Sequence, residues 1–405
     1  MIIRARIVVT IDGQPIENGA VAISGNRIVD VGAFDDVKAR NSDEVLDLGE
    51  QALLPGLINA HCHLDYTCLR GKIPQQKSFT GWICAINAAK AKLSPEDYVG
   101  SINEGFGEAK RFGTTTIANL AAFPELISQI QPPIRTWWFA ELIDVRNPER
   151  ANEIVDLAVE SLKARKHWGM APHAPYTASA SLYRRCEEIA RRENVLLTTH
   201  LAESYEEMQM SFDLGGPLTG FLSEINPDLF EYNGQTPVEH VLDNVCPLDG
   251  RWLIVHLNSV LESDLRMLAK QSTKCHIVHC PRSHSFFNHD AFELERVREL
   301  GFNVCLGTDS LASNDDLSLF AEMRAFQKEF ADVPPEEILR MVTLNPALAL
   351  RQENTLGKLR RGFGADLIAI PCATSTHLRP VFEEIIAFDQ SVNWSMIGGQ
   401  VQDLA

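Results

Sequence analysis

From Leu53 onward, apolar β runs alternate with amphipathic helical stretches. This alternation is typical of parallel βα units, in which a helix links the end of one strand to the start of the next. Eight β runs can be recognised: Leu53–His63, Thr114–Ala121, Arg135–Leu142, Trp168–Pro172, Val195–His200, Trp252–His256, His276–His279 and Asn303–Thr308. Because eight such units over about 250–300 residues have the length of a closed barrel, we predict an α/β fold with a (β/α)8 barrel of the TIM type.

Amphipathic helices are expected between many of these runs and after the last one. They are Pro95–Arg111, Asn152–Arg165, Ser181–Arg192, Glu262–Lys270 and Ala291–Leu300, followed by helices near Leu317–Phe330 and Pro335–Leu350. The irregular stretch Met210–Val238, which lies between the fifth and sixth β runs, is rich in Gly, Pro and Asn. We interpret it either as an active-site lid or as a decorative insertion.

The two ends of the chain differ from its middle. Near the N-terminus, short strands are separated by turns that contain glycine, such as Asp12-Gly13 and Gly25-Asn26. Near the C-terminus, β texture returns in three runs, which are Ala365–Ile370, Glu384–Phe388 and Val392–Gly398. Short strands with such turns indicate a small β domain. We therefore predict a composite β-sandwich domain of residues 1–52 plus 355–405, and a catalytic barrel of residues 53–354.

Composition limits the partners. The 405 residues carry a formal net charge of −17, which argues against nucleic acid because phosphate backbones are held by clustered Lys and Arg. No window approaches eighteen consecutive apolar residues, so no membrane span is expected. The N-terminus lacks the layout of a signal peptide, and nine cysteines fit reduced thiols better than a disulfide framework. We therefore expect a cytoplasmic protein.

Polar residues end six of the predicted barrel strands, and the C-terminal strand ends of such a barrel converge on one face. The residues are His61 and His63, His173, His200, His256, His279 and Asp309. His61 and His63 are two positions apart on a strand, so their imidazoles project together and can bind one divalent transition metal. An isolated pair of this kind can equally hold one buried histidine and one in solvent, but its recurrence at six strand ends favours a metal site.

These residues also occur in a recognisable order. The set His61-x-His63, His200-x-x-Glu203, His256 and Gly307-Thr308-Asp309 resembles the amidohydrolase superfamily of metal-dependent barrel hydrolases. Four stretches are similar to one branch, which contains S-adenosylhomocysteine and methylthioadenosine deaminases, guanine and cytosine deaminases and triazine hydrolases. They are Leu54–His61, Pro172–Thr177, Thr199–Ser204 and Leu356–Leu367. The resemblance spans nearly the whole chain.

The resemblance implies a role for each of these residues. The implied metal ligands are His61, His63, His200 and Asp309, and the implied catalytic groups are Glu203 as proton shuttle, His256 as the residue that orients the attacking water, and Asp309 as its hydrogen-bond acceptor. Three imidazoles and one carboxylate leave an open position for water. The fourth strand ends in His173 and carries no lysine, so a single divalent metal is expected, and the ligand set suits Zn or Fe.

The implied activity is that of a metal-dependent hydrolytic deaminase, which replaces an exocyclic amine on a purine-like or nucleoside-like heterocycle and releases ammonia. One alternative is a triazine-type or ring-amide hydrolase of the same superfamily. Another is a non-catalytic scaffold on a degenerate barrel. The expected partner is a small heterocyclic amine, and the superfamily implies a homodimer or a larger homo-oligomer.

Five residues are candidates for substrate contact. Trp82 matches a position that stacks on the base in related deaminases, although it can equally pack against its neighbours. His173 and His279 end barrel strands, and Arg70 and Arg282 are candidate partners of a carboxylate because guanidinium binds it bidentately. The hypothesis is an acidic nucleoside such as aminodeoxyfutalosine. The alternative for Arg282 is a structural salt bridge.

Two positions depart from the adenosylhomocysteine-type pattern of that branch. Ala91 occupies the position of the acid that binds ribose in the related enzymes, and Glu141 stands where those enzymes often carry an arginine. Both departures argue against plain adenosylhomocysteine as the substrate.

Overall fold

The computed structural model describes residues 1–226, 234–372 and 380–403. The strands are β1 (Ile2–Val8), β2 (Ile16–Ser24), β3 (Arg27–Ala33), β4 (Val45–Asp47), β5 (Gln51–Pro55), β6 (Leu57–His63), β7 (Thr114–Ala121), β8 (Arg135–Leu142), β9 (Trp168–Pro172), β10 (Leu196–Leu201), β11 (Trp252–His256), β12 (His276–His279), β13 (Asn303–Leu306), β14 (Asp309–Ser310), β15 (Leu367–Pro371), β16 (Trp394–Ile397) and β17 (Gln400–Val401).

The α-helices are α1 (Phe34–Arg40), α2 (Phe79–Lys90), α3 (Pro95–Arg111), α4 (Ala151–Leu162), α5 (Ala180–Glu193), α6 (Tyr205–Phe212), α7 (Pro217–Ile225), α8 (Pro237–His240), α9 (Glu262–Ala269), α10 (Pro281–Phe287), α11 (Leu294–Glu299), α12 (Leu319–Glu329), α13 (Pro335–Arg340), α14 (Leu344–Ala349) and α15 (Pro380–Ala387). None of the helices in the described ranges is long and apolar enough to cross a lipid bilayer.

The central sheet is the predicted barrel. Strands β6 to β13 follow one another in chain order, and each pairs with its neighbour in parallel. Directly after β13, the two-residue strand β14 pairs in parallel with β6, where Asp309 lies opposite Cys62 and Ser310 opposite His63. This pairing closes the ring of eight strands. The predicted (β/α)8 fold is confirmed.

A second sheet takes strands from both ends of the chain. Its order is β17-β16-β15-β5-β1-β2-β3, and β4 pairs with β1. The expected small β domain built from both termini is thereby confirmed. Its predicted division from the barrel, at residues 52 and 355, stays a prediction.

The predicted run Leu53–His63 is two strands in the structure. Its first part is β5, which pairs with β1 and β15 in the terminal sheet, and its second part is β6 of the barrel. Gly56 joins them, and a Cβ at this position would lie 2.2 Å from the side chain of Thr115. A glycine therefore lets the chain pass between the two sheets against a buried barrel strand.

The C-terminal prediction needs a correction. The run Glu384–Phe388 was expected to be a strand, but it lies in and just beyond α15. The buried residues of this segment are Val381, Ile385 and Ile386, whose spacing of four and five residues places them on one helical face. A short apolar run read alone does not separate this period from that of a strand.

Two other segments are more regular than expected. Residues after the first barrel strand form α2, whose first turn is capped by Ser78 and whose amides at Phe79 and Thr80 donate to the carboxylate of Glu206. The stretch Met210–Val238 contains α7 and the start of α8, and residues 227–233 lie outside the described ranges.

Candidate active site

The pair His61 and His63 ends β6 inside the barrel. The two residues are two positions apart on this strand, so both imidazoles project from the same face. The intervening Cys62 packs instead with the apolar residues between the barrel and its helices. Cys62 thus faces away from the pair, as the alternation of side chains along a strand requires.

Three imidazoles and one carboxylate meet at this end of the barrel. Ring nitrogens of His61, His63 and His200 all lie within 4.8 Å of one another, and Nε2 of His63 is 3.3 Å from Nε2 of His200. Oδ1 of Asp309 lies 3.6 Å from Nε2 of His61 and 3.7 Å from Nε2 of His63. The structure thus brings the four expected ligands together, from strands β6, β10 and β14.

This donor set fits a divalent metal ion. Both ring nitrogens of His61 are buried and have no hydrogen-bond partner among the residues that the structure describes. Burial lowers the pKa of His63 and of His200 well below the usual value, so both imidazoles are neutral. Burial alone would raise the pKa of Asp309, but the nearby His61 and His256 hold it well below its usual value. Neutral imidazoles and an ionised carboxylate are the forms that bind a metal.

Two of these imidazoles have a hydrogen-bond acceptor near Nδ1. Nδ1 of His200 lies 2.9 Å from the carbonyl oxygen of His173, and Nδ1 of His63 lies 3.5 Å from Oε1 of Glu141. An acceptor at Nδ1 fixes the ring so that Nε2 is left for the metal. Glu141 thus lies where its carboxylate can orient the imidazole of His63.

Glu203 and His256 lie beside this cluster. Oε1 of Glu203 is 3.5 Å from Nε2 of His256. Burial raises the pKa of Glu203 well above its usual value, and the charges of Asp309 and Glu207 act in the same direction. The Glu203 backbone is fixed by two bonds, one from its N–H to Glu207 (2.8 Å) and one from Nδ2 of Asn258 to its carbonyl (3.0 Å).

The backbone at this end of the barrel is strained. Ala202, His256 and Asp309 have φ angles of 51°, 78° and 56°, in the left-handed region that side chains with a Cβ rarely adopt. Such residues persist only where the surrounding structure imposes them, and they are concentrated at functional sites.

The cluster lies at a cavity of about 340 Å³. The part of the cavity lining that we call its floor consists of His63, His200, Glu203, His256 and Asp309. One wall is the face of α2 that carries Trp82, Ile86 and Lys90, and another is the face of α7 that carries Leu218, Phe221 and Leu222. The stretch Met210–Val238 therefore supplies part of the cavity wall through α7.

Two of the five substrate-contact candidates line this cavity, namely Trp82 and His173. The ring of Trp82 lies parallel to Phe79 with centroids 6.1 Å apart, and its edge meets Phe287. Nδ1 of His173 is 2.7 Å from the hydroxyl of Thr177. Trp82 thus packs against neighbouring rings and also lines the cavity. This placement agrees both with a packing role and with stacking on a substrate base.

The other three candidates lie elsewhere, and none is among the residues that line the cavity in the described ranges. Arg70 pairs with the buried carboxylate of Glu108. His279 is fully buried and stacks on Phe292, with centroids 4.3 Å apart. Their surroundings give them structural contacts in place of the expected substrate contacts.

Arg282 has the structural ion pair that was the alternative to substrate binding. Its Nη1 donates to Oδ1 of Asp316 at 2.6 Å, and its Nη2 lies 3.1 Å from Oδ2 of Asp315. Both carboxylates follow the eighth barrel strand, so the guanidinium fastens α10 to the loop after β14. This use of the guanidinium takes it out of the cavity.

Sequence reasoning missed two cations that do line the cavity, Lys90 and Arg146. The ammonium of Lys90 lies 4.7 Å from the ring centre of Tyr66. Lys90 follows Trp82 and Ile86 at intervals of four residues, so recognition of α2 as a helix would have placed all three on one face.

The matching family description is that of the amidohydrolase family, and it covers residues 52–401. The chain belongs to the amidohydrolase family. A shorter match, to an imidazolonepropionase-like composite domain of bacteria, covers residues 19–41 of the terminal sheet. The resemblance drawn from the sequence motifs is confirmed, and so is the enzyme class, a hydrolytic deaminase that acts on C–N bonds other than peptide bonds.

This amidohydrolase is similar to characterised relatives over almost its full length. It is 31% identical over 392 residues to the 5-methylthioadenosine/S-adenosylhomocysteine deaminase of Syntrophobacter fumaroxidans, covering 92% of this chain and 84% of the relative. It is 25% identical to an adenosine deaminase from Xanthomonas campestris with bound zinc (TM-score 0.82, 99% and 92% of the two chains). Helicobacter pylori aminofutalosine deaminase has the same fold (22% identity, TM-score 0.88, 99% and 100% covered).

Proposed function

We propose that this amidohydrolase is a metal-dependent deaminase that replaces the exocyclic amine of a purine nucleoside or a similar heterocycle and releases ammonia. The observation that carries the proposal is the meeting of His61, His63, His200 and Asp309 at a cavity that is lined by three of them, His63, His200 and Asp309, together with Glu203. The relative from Syntrophobacter fumaroxidans acts on 5-methylthioadenosine and S-adenosylhomocysteine by name, which supports a nucleoside substrate. A single Zn or Fe ion suits the three nitrogens and one oxygen.

The chain's own residues divide the reaction between them. A divalent metal held by His61, His63, His200 and Asp309 would act as a Lewis acid and would lower the pKa of water from 15.7 to about 7. Glu203 takes one proton from the attacking water and delivers it to the ring nitrogen, and it then moves the second proton from the new hydroxyl group to the departing amine. His256, 3.5 Å from Glu203, donates a hydrogen bond to the developing oxyanion, and Asp309 accepts one from the water.

The cavity wall carries groups suited to a planar base and to an anionic group. The face of Trp82 offers a stacking surface, and aromatic pairs of this kind contribute about 0.5–1.5 kcal/mol. Lys90 and Arg146 line the same cavity and give it positive charge in place of Arg70 and Arg282. An acidic nucleoside such as aminodeoxyfutalosine therefore stays within the proposal, now with different cations.

We expect the Zn- or Fe-loaded protein to release ammonia from adenine nucleosides in a coupled assay of purines, nucleosides, pterins and triazines. The values of kcat/KM for the best substrates should reach about 10⁴ M⁻¹s⁻¹ or more, as is usual for enzymes with their natural substrates. Chloride release from a chlorotriazine, or a ring-opened product, without ammonia release from any nucleoside would instead support the triazine-type or ring-amide alternative. No turnover of any of these compounds would contradict the proposal.

Replacement of Lys90 by Met should selectively weaken the binding of acidic substrates. A charge-assisted hydrogen bond contributes about 1.5–3 kcal/mol, so KM for an acidic nucleoside should rise by about tenfold or more while KM for a neutral analogue stays nearly unchanged. The matched control is Lys92→Met. Lys92 is exposed, follows Lys90 by two residues and is not among the described residues that line the cavity. Equal effects of the two substitutions on both substrates would remove Lys90 from substrate recognition.

A further inference from the structure

Helix α2 forms one wall of the substrate cavity but is buried at few places. The residues of α2 that line the cavity are Phe79, Trp82, Ile83, Ile86, Asn87 and Lys90. Of its 12 residues only three are buried, and two of these, Phe79 and Thr80, lie in the first turn. The position of α2, and with it that of the Trp82 ring, therefore depends strongly on what holds this turn.

A carboxylate from a distant part of the chain holds the first turn of α2. The N–H groups of Phe79 and Thr80 donate to Oε1 and Oε2 of Glu206, each at 2.9 Å, and the hydroxyl of Thr80 also donates to Oε2. Ser78 accepts the next N–H group, that of Gly81. The first N–H groups of a helix have no partner within it, and a negative charge at that end is favourable. Glu206 thus binds α2 through both of its carboxylate oxygens.

Glu206 belongs to the same short segment as the proposed proton shuttle. It lies three residues after Glu203, in the first turn of α6. The carboxylate of Glu207 accepts the N–H groups of Ala202 and Glu203, at 3.1 and 2.8 Å, and the hydroxyl of Ser204 accepts that of Glu207. Because these bonds fix the segment internally, it places Glu203 at the cavity and Glu206 at α2 in a constant relation.

We infer that Glu206 is a positioning residue, whose carboxylate holds α2 so that the ring of Trp82 keeps a fixed distance from the carboxyl group of Glu203. This inference rests on the proposed function and adds no step to its chemistry. Among the described residues, Glu206 does not line the substrate cavity but an adjoining cavity of about 190 Å³. A base that stacks on Trp82 is thereby held with its amine within reach of Glu203.

This arrangement separates binding from chemistry. The side chains of α2 that line the cavity offer contacts for binding, whereas Glu203 and His256 lie at barrel strand ends, as the metal ligands do. The backbone of Glu203 is held by Glu207 and Asn258 without a contribution from Glu206. Loss of the Glu206 carboxylate should therefore displace α2 and leave the catalytic groups in place.

Glu206→Gln tests this directly, because the amide keeps the shape of the side chain but turns an NH₂ donor toward an N–H group of α2. The assay uses the neutral nucleoside from which the wild-type, metal-loaded enzyme releases ammonia fastest. We expect KM to rise by about tenfold or more, while kcat stays within about threefold and metal content is unchanged. A KM within about twofold of the wild-type value would overturn the inference, whatever the change in kcat.

A double-mutant cycle with Trp82→Ala separates positioning from a general loss of stability. If Glu206 acts through the ring of Trp82, adding Glu206→Gln to Trp82→Ala should raise KM by less than about threefold more, because the surface that it positions is already gone. If Glu206 only stabilised the fold, the two substitutions would act independently. Single-variant factors that multiply in the double variant would therefore overturn the inference.

The adjoining cavity supplies two controls, Asp290 and Lys77, which line it together with Glu206. Neither side chain makes a hydrogen bond with α2 in the described part of the chain. Asp290→Asn repeats the change from carboxylate to amide, and Lys77→Met removes the cation that shares the cavity with Glu206. Both variants should keep KM within about twofold, since charge in the cavity is not the cause. An increase in either control equal to that of Glu206→Gln would overturn the inference.

Thr80→Val is the arm to use if the Glu206 variant does not fold. Valine has nearly the shape of threonine and removes only the hydroxyl that donates to Oε2 of Glu206. We expect KM to rise by about threefold or more at unchanged kcat, and an unchanged KM would overturn the inference.

The outcomes distinguish the inference from the function on which it rests. Normal ammonia release by the wild-type enzyme, with an unchanged KM in Glu206→Gln, would overturn the inference and leave the deaminase proposal standing. No ammonia release by the wild-type enzyme from any nucleoside would overturn the proposed function, and the inference with it.

Discussion

The His61→Ala protein is expected to fold but to lose both its bound metal and its turnover. The imidazole of His61 lies beside those of His63 and His200, with ring centroids 4.9 Å and 5.0 Å away, and its Nε2 is 3.6 Å from Oδ1 of Asp309. Its removal takes away one of the four metal ligands. The three ligands that remain are then expected to lose the cation that they share. Since water that is not activated keeps a pKa of 15.7 rather than about 7, the rate should fall by more than about 10⁴-fold.

Elemental analysis of the purified protein, together with the ammonia assay, checks this result. The matched control is His276→Ala, because His276 begins β12 and so lies at the opposite end of the barrel from the cluster, with Nδ1 3.0 Å from Nδ2 of Asn303. That control should keep its metal and its activity. One metal per chain in His61→Ala would show that His61 is not a ligand.

The candidate site could be predicted from the sequence because its residues end strands. In a parallel barrel, every strand brings its last residues to the same face, so His61, His200 and Asp309 meet although up to 248 positions separate them in the chain. This rule needs only the order and the ends of the strands, both of which are visible as apolar runs. The pairing of β14 with β6, which closes the barrel, shows the same convergence, because it places Asp309 opposite Cys62 at the end of β6.

The substrate-contact arginines show where such reasoning stops. Arg70 and Arg282 were both candidates for substrate contact, and each one is held by a carboxylate 33 to 38 positions away. A guanidinium pairs with whichever carboxylate the loops bring within reach, and the loops of a barrel have no period from which that partner can be read. Lys90 was missed for a different reason. An irregular segment separates α2 from the end of β6, so α2 was not recognised as a helix that follows this strand.

The passage from one sheet to the other lies inside a single predicted run, Leu53–His63. Both β5 and β6 are largely apolar and buried, so hydrophobicity does not distinguish them. Only Gly56, which fits against Thr115 without a Cβ, marks the passage from one sheet to the other. A single glycine in a strand indicates a bend or a close approach, and here it indicates both.

The second large effect is expected in Glu203→Gln, which should keep its metal and lose turnover by about 10²–10⁴-fold. The amide has the shape of the carboxyl group but cannot accept the proton of water or carry it to the amine. The hydrogen bonds that the Glu203 backbone donates to Glu207 and accepts from Asn258 do not involve the Glu203 side chain, so the position of residue 203 should be kept. Metal content by elemental analysis, with steady-state ammonia release, gives the two readouts.

The pattern across two variants separates proton transfer from structure. Glu203→Asp keeps a carboxyl group but withdraws it by one methylene from its place 3.5 Å from Nε2 of His256, so it should retain more activity than the Gln variant at equal metal content. If Glu203 only packed against His256, the isosteric Gln would be the milder change. Glu203→Gln with activity equal to or above that of Glu203→Asp would therefore remove the proton shuttle from Glu203, whereas the reverse order assigns the lost rate to the proton that the amide cannot carry.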